Sequence, residues 1–419
     1  MMKTKQILLC LFFMLESFIC LAGTIVNDSF EHDGKNRTYR IFIPQDTSAG
    51  AGLIFALHGY GPLAGGWMYN NCGIHQMADT GHCFVIYPDA VLNKVLNRAW
   101  NSGCDEIVID GRTPYPSADV DDVGFFSALI DTMYKRYDID TTQVYSYGIS
   151  NGGLMSLRLA AQLDNRISKI APIISTLLYS TAEFLKFAPS IPVLLVNGTN
   201  DDFIPYEGGL DSVYSVPQTI DILRTHNQCM ILPDSIELPN IDLNDGFTAT
   251  FFPYRSDIGN DVIFYRLNGM GHQWPGTFWF FPIPPHGDIN TAEHIWNFFI
   301  NDTFTLQSHI WARSAKLNSK FMKAGSDTLT ITSNFYNKED HDFNAFAIIQ
   351  SVDETVIDTF ELNDDGKHHD EAIGDNLFVG YILPQIMEKT FKIHILSHDM
   401  ETDDDYILCN RTVFTSIGP

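Results

Sequence analysis

Positive charge is scarce in this chain: 26 lysines and arginines stand against 51 aspartates and glutamates in 419 residues, a formal net charge of -25. Such a chain repels phosphate backbones and anionic lipid surfaces, which excludes nucleic acid as a partner. A bilayer-spanning apolar run is missing from the start, where Ile7 to Leu15 is too short and Glu16 interrupts it. With Lys3 and Lys5 ahead and the small residues Ala22 and Gly23 behind, residues 1–23 read instead as a secretory signal peptide. Cleavage after Ala22 or Gly23 leaves no membrane anchor and puts the mature chain in an extracellular or periplasmic space. Cysteine is sparse as well. Removing the signal leaves Cys72, Cys83, Cys104, Cys229 and Cys409, an odd number, so at least one does not pair within the chain. No C-x-x-C or His/Cys spacing marks a metal site, and Cys83, in the apolar run Cys83 to Tyr87, is expected to be a buried thiol.

The 45% hydrophobic share is ample for a large core, and the length predicts two or three domains. Phe30 to Glu31 and Arg37 to Ile43 read as edge strands joined by a turn at Asp33-Gly34. The continuous apolar runs Leu53–Leu57, Phe84–Tyr87, Ile170–Ser175, Val193–Val196 and Val262–Leu267 read as central strands covered on both faces. Between them, helix-like stretches run over 67–80, from after Asp122 to about Tyr137, and from Leu154 to Gln162. Asp119, Asp121 and Asp122 precede the second of these, where a helix start favours carboxylates; capping is the better reading than metal binding.

The stretch that organises the rest is Gly148-Ile149-Ser150-Asn151-Gly152, a G-x-S-x-G between a β-like run and a helix-like run. A serine on a sharp strand-to-helix turn is crowded by backbone two residues to either side, and glycine at both places removes the collision. By composition alone the motif arises in about one chain in ten of this size, so other stretches must decide. The Leu53–Leu57 strand delivers His58-Gly59-Tyr60-Gly61, from which we expect the Tyr60 N–H to join that of Asn151 in holding a developing oxyanion. The strand Val193–Val196 ends in Asp201 and Asp202, either placed as a catalytic acid, and Val262–Leu267 runs into the glycine-flanked His272. A histidine there takes the serine proton and returns it to a leaving alkoxide, while the acid holds its tautomer. The order serine, acid, histidine is that of α/β-hydrolases. His226, His286 and His294 lack the strand-then-loop context and read as surface or loop residues.

From about Asn27 to Asp302 the chain resembles the secreted polyhydroxybutyrate depolymerase and feruloyl or acetylxylan esterase group (carbohydrate esterase family one). The likeness rests on Leu57-His58-Gly59-Tyr60-Gly61, Val85-Ile86-Tyr87-Pro88-Asp89, Asp121-Asp122-Val123-Gly124-Phe125, the Ser150 motif, Asn197-Gly198-Thr199-Asn200-Asp201 with Ile204-Pro205-Tyr206, and Gly269-Met270-Gly271-His272-Gln273-Trp274-Pro275-Gly276. The resemblance implies an α/β-hydrolase fold with a mostly parallel central sheet, Ser150 as nucleophile, Asp201 rather than Asp202 as acid, His272 as base, and hydrolysis of carboxylic esters without cofactor or metal. Asn197 departs from the histidine often found there. The aromatic loop Phe278-Trp279-Phe280-Phe281-Pro282-Ile283-Pro284-Pro285 departs too, and with Trp100 and Trp274 its Phe278 and Trp279 are the candidate substrate contacts.

Thr291 to Ile300 reads as the last helix of a hydrolase domain spanning 24–303. After Phe304, short alternating segments at Thr328–Thr332, Phe343–Ser351, Thr355–Glu361, Leu377–Leu383 and Thr390–Ser397 predict a small all-β immunoglobulin-like sandwich over 304–419. Its turn-rich Asn363-Asp364-Asp365-Gly366, with Asp370 and Gly374-Asp375, reads as solvated turns in preference to a calcium loop. The leading expectation is a secreted serine esterase acting on a polyester or on feruloyl or acetyl polysaccharide esters. The rival is a silent hydrolase scaffold that binds polymer or a partner through the β domain.

Overall fold

The structure is a computed structural model describing residues 23–62, 64–93, 96–103, 120–230, 233, 235–238, 240, 246–275, 288–301, 304, 311–324, 326–336, 342–351, 356–364, 377–382, 389–401 and 404–417. The signal segment therefore lies outside the described residues apart from Gly23, and so do Cys104, Asp119, Phe278, Trp279 and His286.

An antiparallel hairpin opens the chain: β1 (Thr24–His32) and β2 (Lys35–Ile43) turn at Asp33 and Gly34, both with positive φ as a tight hairpin turn requires. There follow β3 (Gly52–Leu57), α1 (Gly65–Cys72), α2 (Ile74–Thr80), β4 (Cys83–Pro88), α3 (Asp122–Tyr137), β5 (Val144–Ile149), α4 (Asn151–Gln162), β6 (Lys169–Ile173), α5 (Tyr179–Leu185), β7 (Val193–Gly198), α6 (Val216–His226), β8 (Ile236–Glu237), β9 (Thr248–Tyr254), β10 (Val262–Asn268) and α7 (Thr291–Ile300). The strands form one 10-stranded sheet in the order β1-β2-β4-β3-β5-β6-β7-β10-β9-β8. From β4 through β10 neighbours run parallel, and antiparallel strands close both edges.

The apolar runs explain the placement. Every residue of β3, β4, β5 and β7 is buried. Because successive side chains point to opposite faces, Leu53, Phe55 and Leu57 join the core under α3, α4 and α6, while Ile54 and Ala56 join the core under α1, α2 and α7. This is the α/β-hydrolase arrangement, with helices on both faces of a largely parallel sheet.

Two expectations need correction. The single helix over 67–80 is two, because Gly73 adopts a left-handed φ of 67° that ends α1 and starts α2. His294 is not at the surface: it sits buried in α7, its Nδ1 2.9 Å from the Tyr265 hydroxyl. Beyond the elements read from the sequence stand the edge strand β9 and the helices α5 and α6, and Ser215 and Gln218 carry the spacing of the capping box that starts α6. Asp121 caps α3 by accepting the Gly124 N–H, while Asp122 does something else, described below. Cys72, Cys83 and Cys229 are buried thiols, and burial pushes Cys83 up to about 11.

At the start of α7, Asn290 accepts the Glu293 N–H and donates to Glu293 Oε2 at 3.1 Å. Burial raises this carboxyl from 4.5 to about 7. Between those values the folded chain holds a proton that the unfolded chain releases, so this group's contribution to stability falls as pH rises through the window. Glu293→Gln is therefore expected to raise Tm at pH 8 and to change it little at pH 4.5. Thermal melts at both pH values check this, and equal shifts would contradict it.

Beyond Phe304 the described strands are β11 (Trp311–Leu317), β12 (Phe321–Lys323), β13 (Leu329–Tyr336), β14 (Phe343–Ser351), β15 (Val356–Leu362), β16 (Leu377–Ile382), β17 (Thr390–Asp399) and β18 (Asp404–Ile417). They form a three-stranded sheet, β11-β13-β16, and a five-stranded one, β12-β18-β17-β14-β15. Leu329, Ile331 and Ile382 of the first share one core with Ala345, Ala347, Ile349, Phe391, Ile393 and Ile395 of the second, as the alternating pattern requires of stacked sheets. The Asp-rich turn after Asp364 lies outside the described residues up to residue 376. Among the described residues no helix is long and apolar enough to cross a membrane.

Candidate active site

Ser150 stands between β5 and α4 with φ 54° and ψ −121°, a conformation that L-residues rarely adopt. The flanking glycines are a steric necessity: a Cβ on Gly152 would lie 2.3 Å from the Leu57 carbonyl oxygen, and one on Gly148 would lie 2.5 Å from the Gly152 carbonyl carbon. Both obstacles are backbone, which cannot swing aside as a side chain can. The Ser150 N–H donates to Ile173 O at 2.9 Å and its carbonyl accepts the Leu154 N–H at 3.0 Å, so both sides of the turn are pinned.

Two loops bring their side chains to this serine. His272 Nε2 lies 2.9 Å from Ser150 Oγ, and His272 Nδ1 lies 2.8 Å from Asp201 Oδ2. The other Asp201 oxygen accepts the N–H groups of Phe203 and Ile204, both at 2.8 Å, which sets the plane of the carboxylate. Asp202 is exposed, so of the two adjacent acids Asp201 is the one that turns inward. The loops after β7 and β10 are stitched together: Thr199 N–H donates to Leu267 O, Asn200 N–H to Met270 O, and Gly269 N–H to Thr199 Oγ1. Gly198 permits that approach, since a Cβ there would sit 2.2 Å from the Met270 carbonyl oxygen. The side chain of His272 is 10% exposed and that of Asp201 2%, enough for a small reactant to reach one ring nitrogen while the acid stays dry.

The loop after β3 passes beside Ser150, with the Cβ direction of Gly59 pointing to within 3.5 Å of Ser150 Cβ. His58 braces this loop. Its Nε2 accepts the Ala90 N–H at 3.0 Å, which leaves Nδ1 to carry the proton and donate to Gly59 O at 2.7 Å. Burial lowers this imidazole to about 4, so it stays neutral and keeps that tautomer. Asn151, expected as the second N–H donor, begins α4 and uses its side chain elsewhere: Oδ1 accepts the Trp100 N–H at 2.7 Å and Nδ2 donates to Ser102 Oγ at 3.1 Å. Tyr60 follows Gly59 on the same loop, its hydroxyl accepting from Asn97 Nδ2 at 2.9 Å.

Trp100 and Trp274 are not placed as substrate contacts. Trp100 is 1% exposed, donates from Nε1 to His58 O at 3.0 Å and packs on the His58 and Phe126 rings. Trp274 is 2% exposed against Tyr147. At that burial neither side chain has a face open to a substrate. Two contributors had been missed. His58 carries no role of its own in the sequence motif, and Phe203, next but one to Asp201, lies over the His272 ring with centroids 5.1 Å apart; an aromatic two residues after the candidate acid was the available signal. Among the described residues, no group of three or more His, Cys, Asp or Glu is placed to hold a metal ion.

No protein-family model matches the chain. Curated relatives do. The bifunctional acetylxylan esterase/xylanase XynS20E of Neocallimastix patriciarum is 25% identical over 274 residues, which are 65% of this chain and 34% of that protein. NocK of Nocardia uniformis subsp. tsuyamanensis, named as an esterase, is 30% identical over 260 residues, 58% of this chain and 72% of that protein. Feruloyl esterase B of Piromyces equi is 31% identical over 121 residues, 28% of this chain and 20% of that protein. Two of these relatives are thus much longer than the segment they share with this chain.

Proposed function

The chain belongs to the esterases of the α/β-hydrolase fold, and from that premise we propose that it hydrolyses carboxylic esters through an acyl-enzyme on Ser150. The observation that carries this is the hydrogen-bonded run from Ser150 Oγ through the His272 imidazole to Asp201 Oδ2 at the carboxyl edge of the parallel strands. Ser150 Oγ attacks the ester carbonyl as its proton passes to His272 Nε2, while Asp201 stabilises the imidazolium that forms. The N–H groups of Tyr60 and Asn151 receive the oxyanion, and such a donor lowers the barrier by about 3 to 4 kcal/mol. His272 then gives its proton to the leaving alkoxide, and water repeats the sequence to release the acid.

Acetyl and feruloyl esters are the substrate classes that best fit, supported by the names of two relatives; a hydroxyalkanoate polyester is the comparison substrate. Secretion is part of the proposal and rests on the pattern from Lys3 to Gly23, as is a separate β-sandwich domain over 304–419, supported by a core of its own that holds Met322, Leu329 and Ile331, although Phe304 itself is buried in the hydrolase core beside Phe251 and Phe298. Mixing the signal-free protein with p-nitrophenyl acetate should give a burst of one nitrophenolate per chain, with one acetyl group on the peptide containing Ser150. A burst with the acetyl group on another residue, or no turnover of acetyl, feruloyl or hydroxybutyrate esters by folded protein, would overturn the reading.

A further inference from the structure

We propose that Phe203 is the wall against which the alcohol half of the ester packs, and that it makes this site prefer esters whose leaving group carries a ring with an apolar face, such as a sugar, over esters of small alkanols. The inference rests on the esterase reading and assigns one side of that site.

Proton delivery fixes where the leaving group must be. His272 Nε2 lies 2.9 Å from Ser150 Oγ and has to reach the leaving oxygen within hydrogen-bond distance, so that oxygen sits beside the imidazole. Whatever is bonded to it lies one or two bonds further out, over the rim that His272 and its neighbours form. The Phe203 ring occupies that rim: its centroid is 5.1 Å from that of His272, the two planes are tilted by 37°, and the residue is 47% exposed. Other large apolar side chains, Phe184 and Phe187 among them, are as exposed, but Phe203 is placed against the His272 imidazole at the edge of a sheet whose β5 and β7 strands are buried throughout. A half-exposed phenyl ring beside the proton donor offers C–H and apolar faces of a sugar ring a flat partner, and offers an ethyl group little.

The side chain is separable from the machinery that holds Asp201. The contribution of Phe203 to the carboxylate is its backbone N–H, 2.8 Å from Asp201 Oδ1, which any residue but proline supplies. Phe203→Ala thus keeps the hydrogen bonds of the Ser150, His272 and Asp201 group and, the ring being exposed, keeps the fold.

The experiment holds the acyl group constant and varies the alcohol: kcat and KM are measured for ethyl acetate and for a mono-acetylated methyl xyloside, with wild type, Phe203→Ala and Phe203→Tyr. The expected result is about a tenfold loss of kcat/KM for Phe203→Ala on the acetyl xyloside, carried mainly by KM, less than about a twofold loss on ethyl acetate, and recovery in Phe203→Tyr. Equal losses on both esters would show that the ring merely shields the imidazole, and no loss on either would show that it touches neither; each overturns the proposal while leaving the esterase reading intact. Absence of turnover by wild type on both esters, and on p-nitrophenyl acetate, would overturn the esterase reading itself and this inference with it.

Discussion

Ser150→Ala is expected to lower kcat on p-nitrophenyl acetate by about ten-thousandfold or more, because the oxygen that forms the acyl bond is gone and no neighbouring side chain replaces it. What remains is the acceleration due to the N–H donors and to binding. The fold should survive the change. The turn is held by the Ser150 main-chain bonds to Ile173 and Leu154, and by glycine where backbone crowds it, none of which involves Oγ. The one hydrogen bond lost is that to His272, which keeps its bond to Asp201. Steady-state assay together with a thermal melt checks both halves. A folded variant with wild-type turnover would remove Ser150 from the mechanism.

Asp122→Ala should give the largest loss of stability, about 3 to 5 kcal/mol. Asp122 Oδ1 accepts from Arg37 Nη2 at 2.6 Å, and both side chains are almost wholly buried, with the guanidinium carbon 3.9 Å from the centre of the Phe125 ring. Burial pushes the Asp122 carboxyl above its ordinary value although Arg37 pulls it the other way, the mark of a pair whose desolvation is costly. Removing only the acid leaves a charged guanidinium in the core with nothing to balance it. The second Asp122 oxygen accepts the Asn101 N–H at 2.7 Å, and Trp100 next to it holds Asn151, so the variant should also lose esterase activity beyond what unfolding explains. Chemical denaturation of Asp122→Ala beside Arg37→Met/Asp122→Leu tests the assignment: the double variant should be clearly more stable than the single one. A loss below about 1 kcal/mol in Asp122→Ala would show that Arg37 finds another partner.

The sequence by itself determined those features that depend on neighbours along the chain. Continuous apolar runs became the central strands because a strand covered on both faces has no polar side to show. The Ser150 turn was legible because Gly148 and Gly152 answer a collision within one turn, and α7 was read over Thr291–Ile300, to its ends. The order of serine, acid and histidine followed from which strand precedes each loop. Tertiary structure alone decided what depends on segments far apart. Asp201 and Asp202 are chemically equal in the sequence, and only the family resemblance favours Asp201; the close approach of the β7 and β10 loops at Gly198 turns it inward. Trp100 and Trp274 carry the composition of a binding surface, yet Trp100 is buried against His58 and Phe126 and Trp274 against Tyr147, rings from other elements of the fold. Phe203 is marked in the sequence only by its place two residues after Asp201; that it faces His272 is set by another strand's loop. Arg37 and Asp122, separated by the rest of β2, by β3 and β4 and by α1 and α2, become one buried pair only when β2 and α3 pack together. Hydrogen bonds and steric limits within a turn are written locally, whereas burial and the direction a side chain takes are set by what folds over it.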